Sequence, residues 1–161
     1  MRVLFAGSPE IAVPSLQAVA SEFQLVGILT NPDAPCGRGR CLAQTDIADA
    51  AAASFPDIPL IKAGRLGPAE RAAVAELKPD VMAVFAYGTI FGPKFLSLFP
   101  KGSVNVHPSL LPRWRGCAPL SYAILKQDRL TGVTVQRLAL ALDSGDILAR
   151  QELVLNGRET T

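Results

Sequence analysis

The sequence contains only one histidine and one tryptophan among its 161 residues, together with three cysteines and few charges. Charged residues make up 19% of the chain and the net charge is +2, so the overall charge does not indicate an acidic or basic partner. The odd number of cysteines and the lack of a C-x-x-C pair argue against a disulfide framework, and Cys36 and Cys41 are too few for a zinc site. We therefore expect no bound metal and three reduced thiols, as in a cytoplasmic protein.

Long hydrophobic runs are missing as well. The N-terminal stretch MRVLFAG is short, whereas a secretory signal needs about 7–15 consecutive apolar residues and a membrane span needs about 20. We therefore expect no association with a membrane. Hydrophobic residues nevertheless make up 49% of the chain, which excludes disorder, and the length suits about one domain.

Short apolar runs alternate with alanine-rich segments along the chain, a pattern typical of strands that alternate with helices. The predicted strands are 2–7, 24–31, 58–63, 79–88, 102–107, 131–139 and 145–155. The predicted helices are 8–23, 47–55, 67–78, 93–99 and 118–127, with a long loop at 32–46. For the first helix we expect Ser8 as the N-cap, Pro9 in the first turn and an interruption at Pro14. The pattern predicts an α/β fold with a Rossmann-like open, mostly parallel twisted sheet, helices on both faces and an antiparallel edge.

The run NVHPSLLPRWRG (105–116) holds the single histidine and follows a predicted strand. Asn105 and His107 are two residues apart, so their side chains point the same way, and Asp143 follows a later strand in LDSGD. An amide, an imidazole and a carboxylate suit acyl transfer to an amine, because they can stabilise an oxyanion, move a proton and orient the imidazole. No G-x-S-x-G elbow is present, which favours direct transfer. Two alternatives stay open: a hydrogen-bonded Asn/His pair that merely ends a strand, and Asp146 as the carboxylate.

Four arginines accompany this site in loops. Arg38 and Arg40 lie in PCGRGRC, and Arg113 and Arg115 flank the only tryptophan. Arginines beside an aromatic ring that can stack suit the phosphates of a nucleotide or an RNA. The alternative is a solvated basic loop. GSPE, after the first strand, is no G-x-G-x-x-G and argues against a dinucleotide site.

Taken together, the segments VLFAGSPE, NPDAPCGRGR, KPDVMAVFAYGTI, NVHPSLLPRWRGCAPL, TGVTVQRL and LDSGDIL resemble the N-terminal catalytic domain of the methionyl-tRNA formyltransferase family. N-x-H followed by PSLLP, with L-D thirty-six residues after the histidine, marks users of 10-formyltetrahydrofolate, and PRWRGCAP marks the tRNA-directed branch. The resemblance implies an enzyme that transfers a formyl group from 10-formyltetrahydrofolate to the α-amino group of initiator methionyl-tRNA.

The resemblance also implies a role for individual residues. The catalytic set would be Asn105, His107 and Asp143, with the first two stabilising the oxyanion and the carboxylate orienting the histidine and assisting proton removal. The folate-binding residues would be Ser109, Leu110, Leu111, Pro112, Phe85, Ala86, Tyr87, Ile90 and Leu142, largely through backbone groups around the pterin. The tRNA-binding residues would be Arg38, Arg40, Arg113 and Arg115. We expect a monomer in the cytoplasm.

The sequence departs from the family in two places. We expect 1–161 to be a catalytic domain that ends before its last helix, without the C-terminal β-barrel of the family. CLAQTDIADAA also stands where the family has further basic residues, which puts tRNA affinity in question. Two other functions stay open: formyl transfer to a small amine such as a ribonucleotide or an amino sugar, and an idle folate- or RNA-binding fragment. AGSPEIAV lacks the glycine- and asparagine-rich phosphate loop expected for the ribonucleotide.

Overall fold

The computed structural model describes residues 1–160, which form two compact units. The N-terminal unit spans Met1–Ser103, and the C-terminal unit begins at Val104. Within residues 1–160 no helix has the length and apolar character to cross a membrane. In the same residues no group of three or more histidine, cysteine, aspartate or glutamate side chains is arranged to hold a metal ion.

The N-terminal unit is built on four parallel strands, β1 (Arg2–Gly7), β2 (Gln24–Thr30), β5 (Leu60–Lys62) and β6 (Val81–Phe85). They lie in the order β5–β2–β1–β6. The helices are α1 (Val13–Glu22), α2 (Asp46–Ser54), α3 (Pro68–Glu76) and α4 (Pro93–Leu96). Strands β1, β2 and β6 are buried at almost every position, which explains why their sequences are apolar throughout rather than alternating.

The predicted start of the first helix is wrong. A short 3-10 turn, Glu10–Ala12, comes first, and α1 begins only at Val13. Pro14 therefore lies in the first turn of α1. Backbone N–H groups of that turn have no acceptor within the helix, so a proline there removes no helical hydrogen bond. Ser8 does not cap the helix, because its hydroxyl accepts a hydrogen bond from the Asn31 side-chain amide at 2.9 Å.

The predicted loop at 32–46 contains a small hairpin of two antiparallel strands, β3 (Ala34–Cys36) and β4 (Cys41–Ala43). Both strands are exposed throughout. An exposed strand of three residues buries neither face, so it carries no hydrophobic alternation from which a strand could be predicted. Residues 37–40 form the turn, with positive φ at Gly37 and Arg40.

The C-terminal unit carries the antiparallel part of the fold. Its strands are β7 (Ser103–His107, from its second residue onwards), β8 (Leu130–Arg137) and β9 (Ile147–Val154), and α5 covers Pro119–Leu125. Strand β7 pairs with β8, and β8 pairs with β9, both in antiparallel fashion. In β8 the buried positions include Gly132, Thr134 and Gln136, whereas Val133 is exposed. In this strand the polar side chains of Thr134 and Gln136 are buried and the apolar side chain of Val133 is exposed. A strand with one buried face normally has the opposite arrangement.

Candidate active site

His107 ends strand β7 and is only 5% exposed. Its Nε2 lies 2.9 Å from the carbonyl oxygen of Trp114, and its Nδ1 lies 3.6 Å from Oδ2 of Asp143. A carbonyl oxygen only accepts hydrogen bonds, so this contact assigns a proton to Nε2. Nδ1 is then the nitrogen that faces the carboxylate.

The carboxylate of Asp143 is held by two donors on different parts of the chain. Oδ2 accepts from the backbone N–H of Gly116 at 2.8 Å, and Oδ1 accepts from Nε2 of Gln136 at 3.0 Å. The side chain is only 8% exposed, and the backbone has a φ of 47°. A left-handed backbone in a residue other than glycine is uncommon and concentrates at functional sites. The carboxylate is thus fixed in place next to the imidazole.

Gly145 lets the loop that carries Asp143 close against β8. A Cβ at this position would lie 1.8 Å from the carbonyl oxygen of Arg137, and the Arg137 N–H donates to the carbonyl of Asp146 at 2.8 Å. Only glycine allows this approach. Asp146, the alternative carboxylate, is exposed, whereas Asp143 lies beside His107.

Asn105 and His107 belong to a polar face formed by two paired strands. In the antiparallel register Asn105 lies opposite Gln136, and His107 lies opposite Thr134. Residues that lie opposite each other project to the same side of a sheet, so these four side chains share one face. Asn105 is half-buried and the other three are buried. The predicted pair is therefore part of a larger polar surface.

The segment PSLLP, predicted to contact folate, is fixed by Thr134. The Thr134 hydroxyl donates to the carbonyl of Ser109 at 2.7 Å and accepts from the N–H of Leu111 at 3.1 Å. The Ser109 hydroxyl is fully buried and donates to the Arg113 carbonyl, and Leu111 is buried as well. Of the four predicted residues, only Pro112 is exposed and Leu110 half-buried. Ligand contact by the Ser109 side chain is not supported by this geometry.

Arg113, Trp114 and Asp128 form a cluster that we call the Trp114 cluster. The Arg113 guanidinium donates to both carboxylate oxygens of Asp128, at 2.8 and 2.6 Å, and the indole N–H of Trp114 donates to Oδ2 at 2.7 Å. These hydrogen bonds, that of Arg113 first, lower the pKa of Asp128 to about 2. The guanidinium also covers the Trp114 ring at 4.4 Å, and the ring stacks on Tyr122. This cluster positions the Trp114 carbonyl that contacts His107.

The predicted tRNA-binding arginines differ in their surroundings. Arg113 is engaged with Asp128, and the same hydrogen bond raises the pKa of the Arg113 guanidinium. Arg115 is exposed in the C-terminal unit. Arg38 and Arg40 are exposed in the turn of the β3–β4 hairpin, in the N-terminal unit. RNA contact thus stays a prediction for all four arginines. For Arg113, binding a phosphate would require its guanidinium to leave the Asp128 carboxylate.

The remaining predicted folate residues divide into buried and exposed ones. Phe85 and Tyr87 are buried in the N-terminal unit, where the Tyr87 hydroxyl donates to the Ala63 carbonyl. Burial, with a smaller contribution from the charge of Glu70, raises the pKa of Tyr87 to about 12. Ala86 and Ile90 are exposed in that unit, and Leu142 is exposed in the C-terminal unit. Buried side chains at 85 and 87 leave only backbone groups for the predicted contact.

Sequence reasoning missed Gln136, Thr134, Asp128 and the backbone N–H of Gly116. For the first two a signal existed, because TGVTVQRL places glycine, threonine and glutamine in alternation with the valines of a strand. A strand whose inner residues are polar points to a site. For Asp128 and Gly116 we find no comparable signal, since both act across loops.

The fold is shared with solved formyltransferases. Phosphoribosylglycinamide formyltransferase from Streptococcus pneumoniae matches with a TM-score of 0.75 at 20% identity, over 99% of this chain and 84% of that chain. The same enzyme from Anaplasma phagocytophilum matches with a TM-score of 0.79 at 19% identity, over 99% and 75%. The predicted Rossmann-like fold, a mostly parallel sheet with helices and an antiparallel edge, is confirmed.

Sequence comparison gives the family. A family model described as Formyl transferase matches residues 1–161, and this chain belongs to that family. Relatives from Treponema pallidum and Treponema denticola, both named methionyl-tRNA formyltransferase, are 51% and 47% identical over 167 residues. Both alignments cover 100% of this chain and 52% of the relative, so the chain spans about half the length of the curated relatives it matches. The resemblance predicted from the motifs is confirmed.

Proposed function

We propose that this chain carries the formyl-transfer chemistry of a methionyl-tRNA formyltransferase, with 10-formyltetrahydrofolate as the donor and initiator methionyl-tRNA as the acceptor. The observation that supports it most is the buried pair of His107 and Asp143, 3.6 Å apart, with both carboxylate oxygens held by donors. The name shared by the Treponema relatives favours methionyl-tRNA as the acceptor. The predicted cytoplasmic location, monomeric state and domain limits stay predictions.

The donor 10-formyltetrahydrofolate supplies the formyl group when it is bound. The residues present fit a polar ligand, because Oε1 of Gln136 is buried and has no hydrogen-bond partner among residues 1–160. A buried acceptor without a partner is costly, and a ligand or a water can satisfy it. We place the formyl end near the face that carries Asn105 and His107, with Leu110, Pro112 and Leu142 as apolar contacts.

Asn105 and His107 would stabilise negative charge on the formyl oxygen as the amine attacks. The Asn105 side-chain N–H donates directly. The Nε2–H of His107 donates to the Trp114 carbonyl at present and must exchange that neutral acceptor for the formyl oxygen. Hydrogen bonds to a charged acceptor are roughly twice as strong as those to a neutral one, so the exchange favours the transition state over the ground state.

Asp143 has two roles in this proposal. It orients the imidazole by accepting from Nδ1 when that nitrogen carries a proton, and its free lone pairs can accept the proton of the amine through a water. Because Gly116 and Gln136 hold the carboxylate, it keeps its position while the charge of its neighbour changes. No covalent enzyme intermediate is needed.

The test is formyl transfer from 10-formyltetrahydrofolate to charged initiator tRNA. Asn105→Ala, His107→Ala and Asp143→Asn should each lower the chemical step by roughly 10²-fold or more, as expected for lost transition-state stabilisation. Asp146→Asn, an exposed carboxylate in the same loop, serves as the matched control and should leave the rate unchanged. Full activity in all three site variants would overturn the proposal. Activity with glycinamide ribonucleotide or an amino sugar instead of the tRNA would identify a small amine as the acceptor. Folate binding without formyl transfer would indicate a catalytically idle fragment.

For Arg38 and Arg40 we propose contact with the acceptor tRNA, on the ground that both are exposed in a glycine-containing turn. Arg38→Ala should raise the apparent KM for tRNA, and binding of the unmodified chain should weaken steeply with salt. Arg65→Ala removes an exposed arginine outside the hairpin and controls for net charge. If Arg38→Ala and Arg65→Ala change KM for tRNA equally, or if neither changes it, the hairpin is a solvated basic loop without a specific role in tRNA binding.

A further inference from the structure

Cys36 and Cys41 lie directly opposite each other in the β3–β4 hairpin. They are the last residue of one strand and the first of the next, and the antiparallel register pairs them across the turn formed by residues 37–40. Both are free thiols and both are exposed. Neither belongs to the site proposed for formyl transfer, so their facing positions are not explained by that function.

The backbone spacing at this pair suits a disulfide bond. The next pair along the ladder joins Pro35 to Leu42, and a proline has no N–H to give to a ladder. Hydrogen-bonded and non-hydrogen-bonded pairs alternate in an antiparallel ladder, so the pair Cys36–Cys41 is the hydrogen-bonded kind, with about 5.5 Å between the Cα atoms. Disulfides usually have Cα atoms about 4.4–6.8 Å apart. The Cβ atoms of such a pair are about 5.5 Å apart and those of a disulfide about 3.5–4.5 Å, so the bond forms once the two exposed strands approach by roughly 1 Å.

We propose that Cys36 and Cys41 are a redox-active dithiol, which a low-molecular-weight disulfide converts into an intramolecular disulfide across the hairpin. The thiolate of one cysteine attacks the reagent, forms a mixed disulfide and releases one small thiol. The thiolate of the other cysteine attacks the protein sulfur of that mixed disulfide and releases the second small thiol. The two cysteines lose two electrons and two protons in total, and the reagent is reduced to two thiols.

Cys117 provides an internal comparison. It is exposed like the other two, but it is the only cysteine of the C-terminal unit, so that unit offers it no opposed cysteine. The same reagent should stop there at the mixed disulfide. All three cysteines are exposed, but only Cys36 and Cys41 have a cysteine opposite them. This difference decides whether a disulfide or a mixed disulfide forms.

The disulfide should also order the hairpin. Two exposed strands of three residues are marginally stable in water, because they bury almost no apolar surface. The new bond closes a ring from Cys36 to Cys41 that contains Arg38 and Arg40. Amide hydrogen exchange over residues 34–43 should therefore slow on oxidation and recover on reduction. This effect and the disulfide itself do not depend on the proposed function.

The experiment treats the chain with glutathione disulfide and maps the products by mass spectrometry. We expect a Cys36–Cys41 linkage without bound glutathione, and a glutathione adduct on Cys117. Trypsin cleavage after Arg38 should leave the two fragments joined until a reductant is added. Cys36→Ser should convert Cys41 to a glutathione adduct, Cys41→Ser should do the same for Cys36, and Cys117→Ser should leave the linkage unchanged. Stable adducts on both Cys36 and Cys41 of the unmodified chain, or chains joined to each other through them, would overturn the proposal.

Discussion

The hydrogen bond from Nε2 of Gln136 to Oδ1 of Asp143, 3.0 Å long and buried, can be removed with little loss of stability. In Gln136→Met the loss of a hydrogen bond to a charged group costs about 1.5–3 kcal/mol. The same substitution removes the buried Oε1, which has no partner among residues 1–160 and whose burial costs about 1–3 kcal/mol. Methionine has a similar volume, so no cavity is added. The two effects offset each other, and the free energy of unfolding should change by no more than about 1 kcal/mol.

The formyl-transfer rate should respond differently. Without Gln136 the carboxylate of Asp143 keeps only the Gly116 N–H and can turn away from His107. Partners that orient a functional group typically contribute 10- to 100-fold, so we expect kcat to fall about 10-fold, or about 1.4 kcal/mol in the barrier. Gln136→Met also removes the buried Oε1 that a ligand can satisfy, so KM for 10-formyltetrahydrofolate should rise with the fall in kcat, whereas KM for the tRNA should stay the same. Gln136 is a positioning residue, and a loss in kcat without a loss in stability is its signature.

Two measurements check this prediction: formyl transfer under single-turnover conditions, and urea unfolding of the same samples. Gln151→Met, an exposed glutamine on β9, is the matched control and should affect neither. Gln136→Glu adds a pH test, because a protonated carboxyl can donate to Asp143 whereas a carboxylate repels it. Its activity should fall as pH rises through the pKa of the introduced group. Activity of Gln136→Met within about twofold of the unmodified chain would refute a positioning role, and a loss of activity that follows a loss of stability would make the role structural.

Two further predictions concern the loops around the site. Gly145→Ala should destabilise the chain by about 1–3 kcal/mol, because the new Cβ would overlap the Arg137 carbonyl; Gly64→Ala, which meets only ordinary contacts, should be nearly neutral in the same thermal melts. The pKa of Asp128 is lowered in the folded chain, so its contribution to stability is present above the unfolded pKa of about 4 and is lost as pH falls towards 2. Acid titration followed by the fluorescence of Trp114, the single tryptophan, should show this loss, and Asp128→Asn should abolish the transition; an unchanged acid transition in that variant would contradict the assignment.

The sequence predicts the buried strands well, because strands covered on both faces have to be apolar throughout. Each of the larger strands was expected within a few residues of its bounds, as for Val81–Phe85 within 79–88. The β3–β4 hairpin could not be predicted in this way, since its strands bury nothing. Pro14 was misleading for another reason: a proline interrupts the middle of a helix but is favourable in the first turn, and the position of that turn is set by packing.

For the site, the sequence predicts which residue types meet but not what holds them. His107 and Asp143 lie together as their pattern suggested, and the geometry separates Asp143 from Asp146, which spacing alone left open. The engagement of Arg113 by Asp128 depends on a loop conformation that no local pattern encodes. Catalytic roles for these residues stay predictions until the variants have been assayed.

The groups proposed for the chemistry lie within residues 105–143, together with the donors that orient them, whereas the arginine hairpin lies in the N-terminal unit at 34–43. Mutations can therefore accumulate in one segment without touching the other. If the hairpin contacts the acceptor as proposed, acceptor preference can diverge while the reacting groups stay unchanged. For protein engineering, a library confined to residues 32–46 would test the proposed role of the hairpin in acceptor choice and leave the sequence of β7 and β8 unchanged.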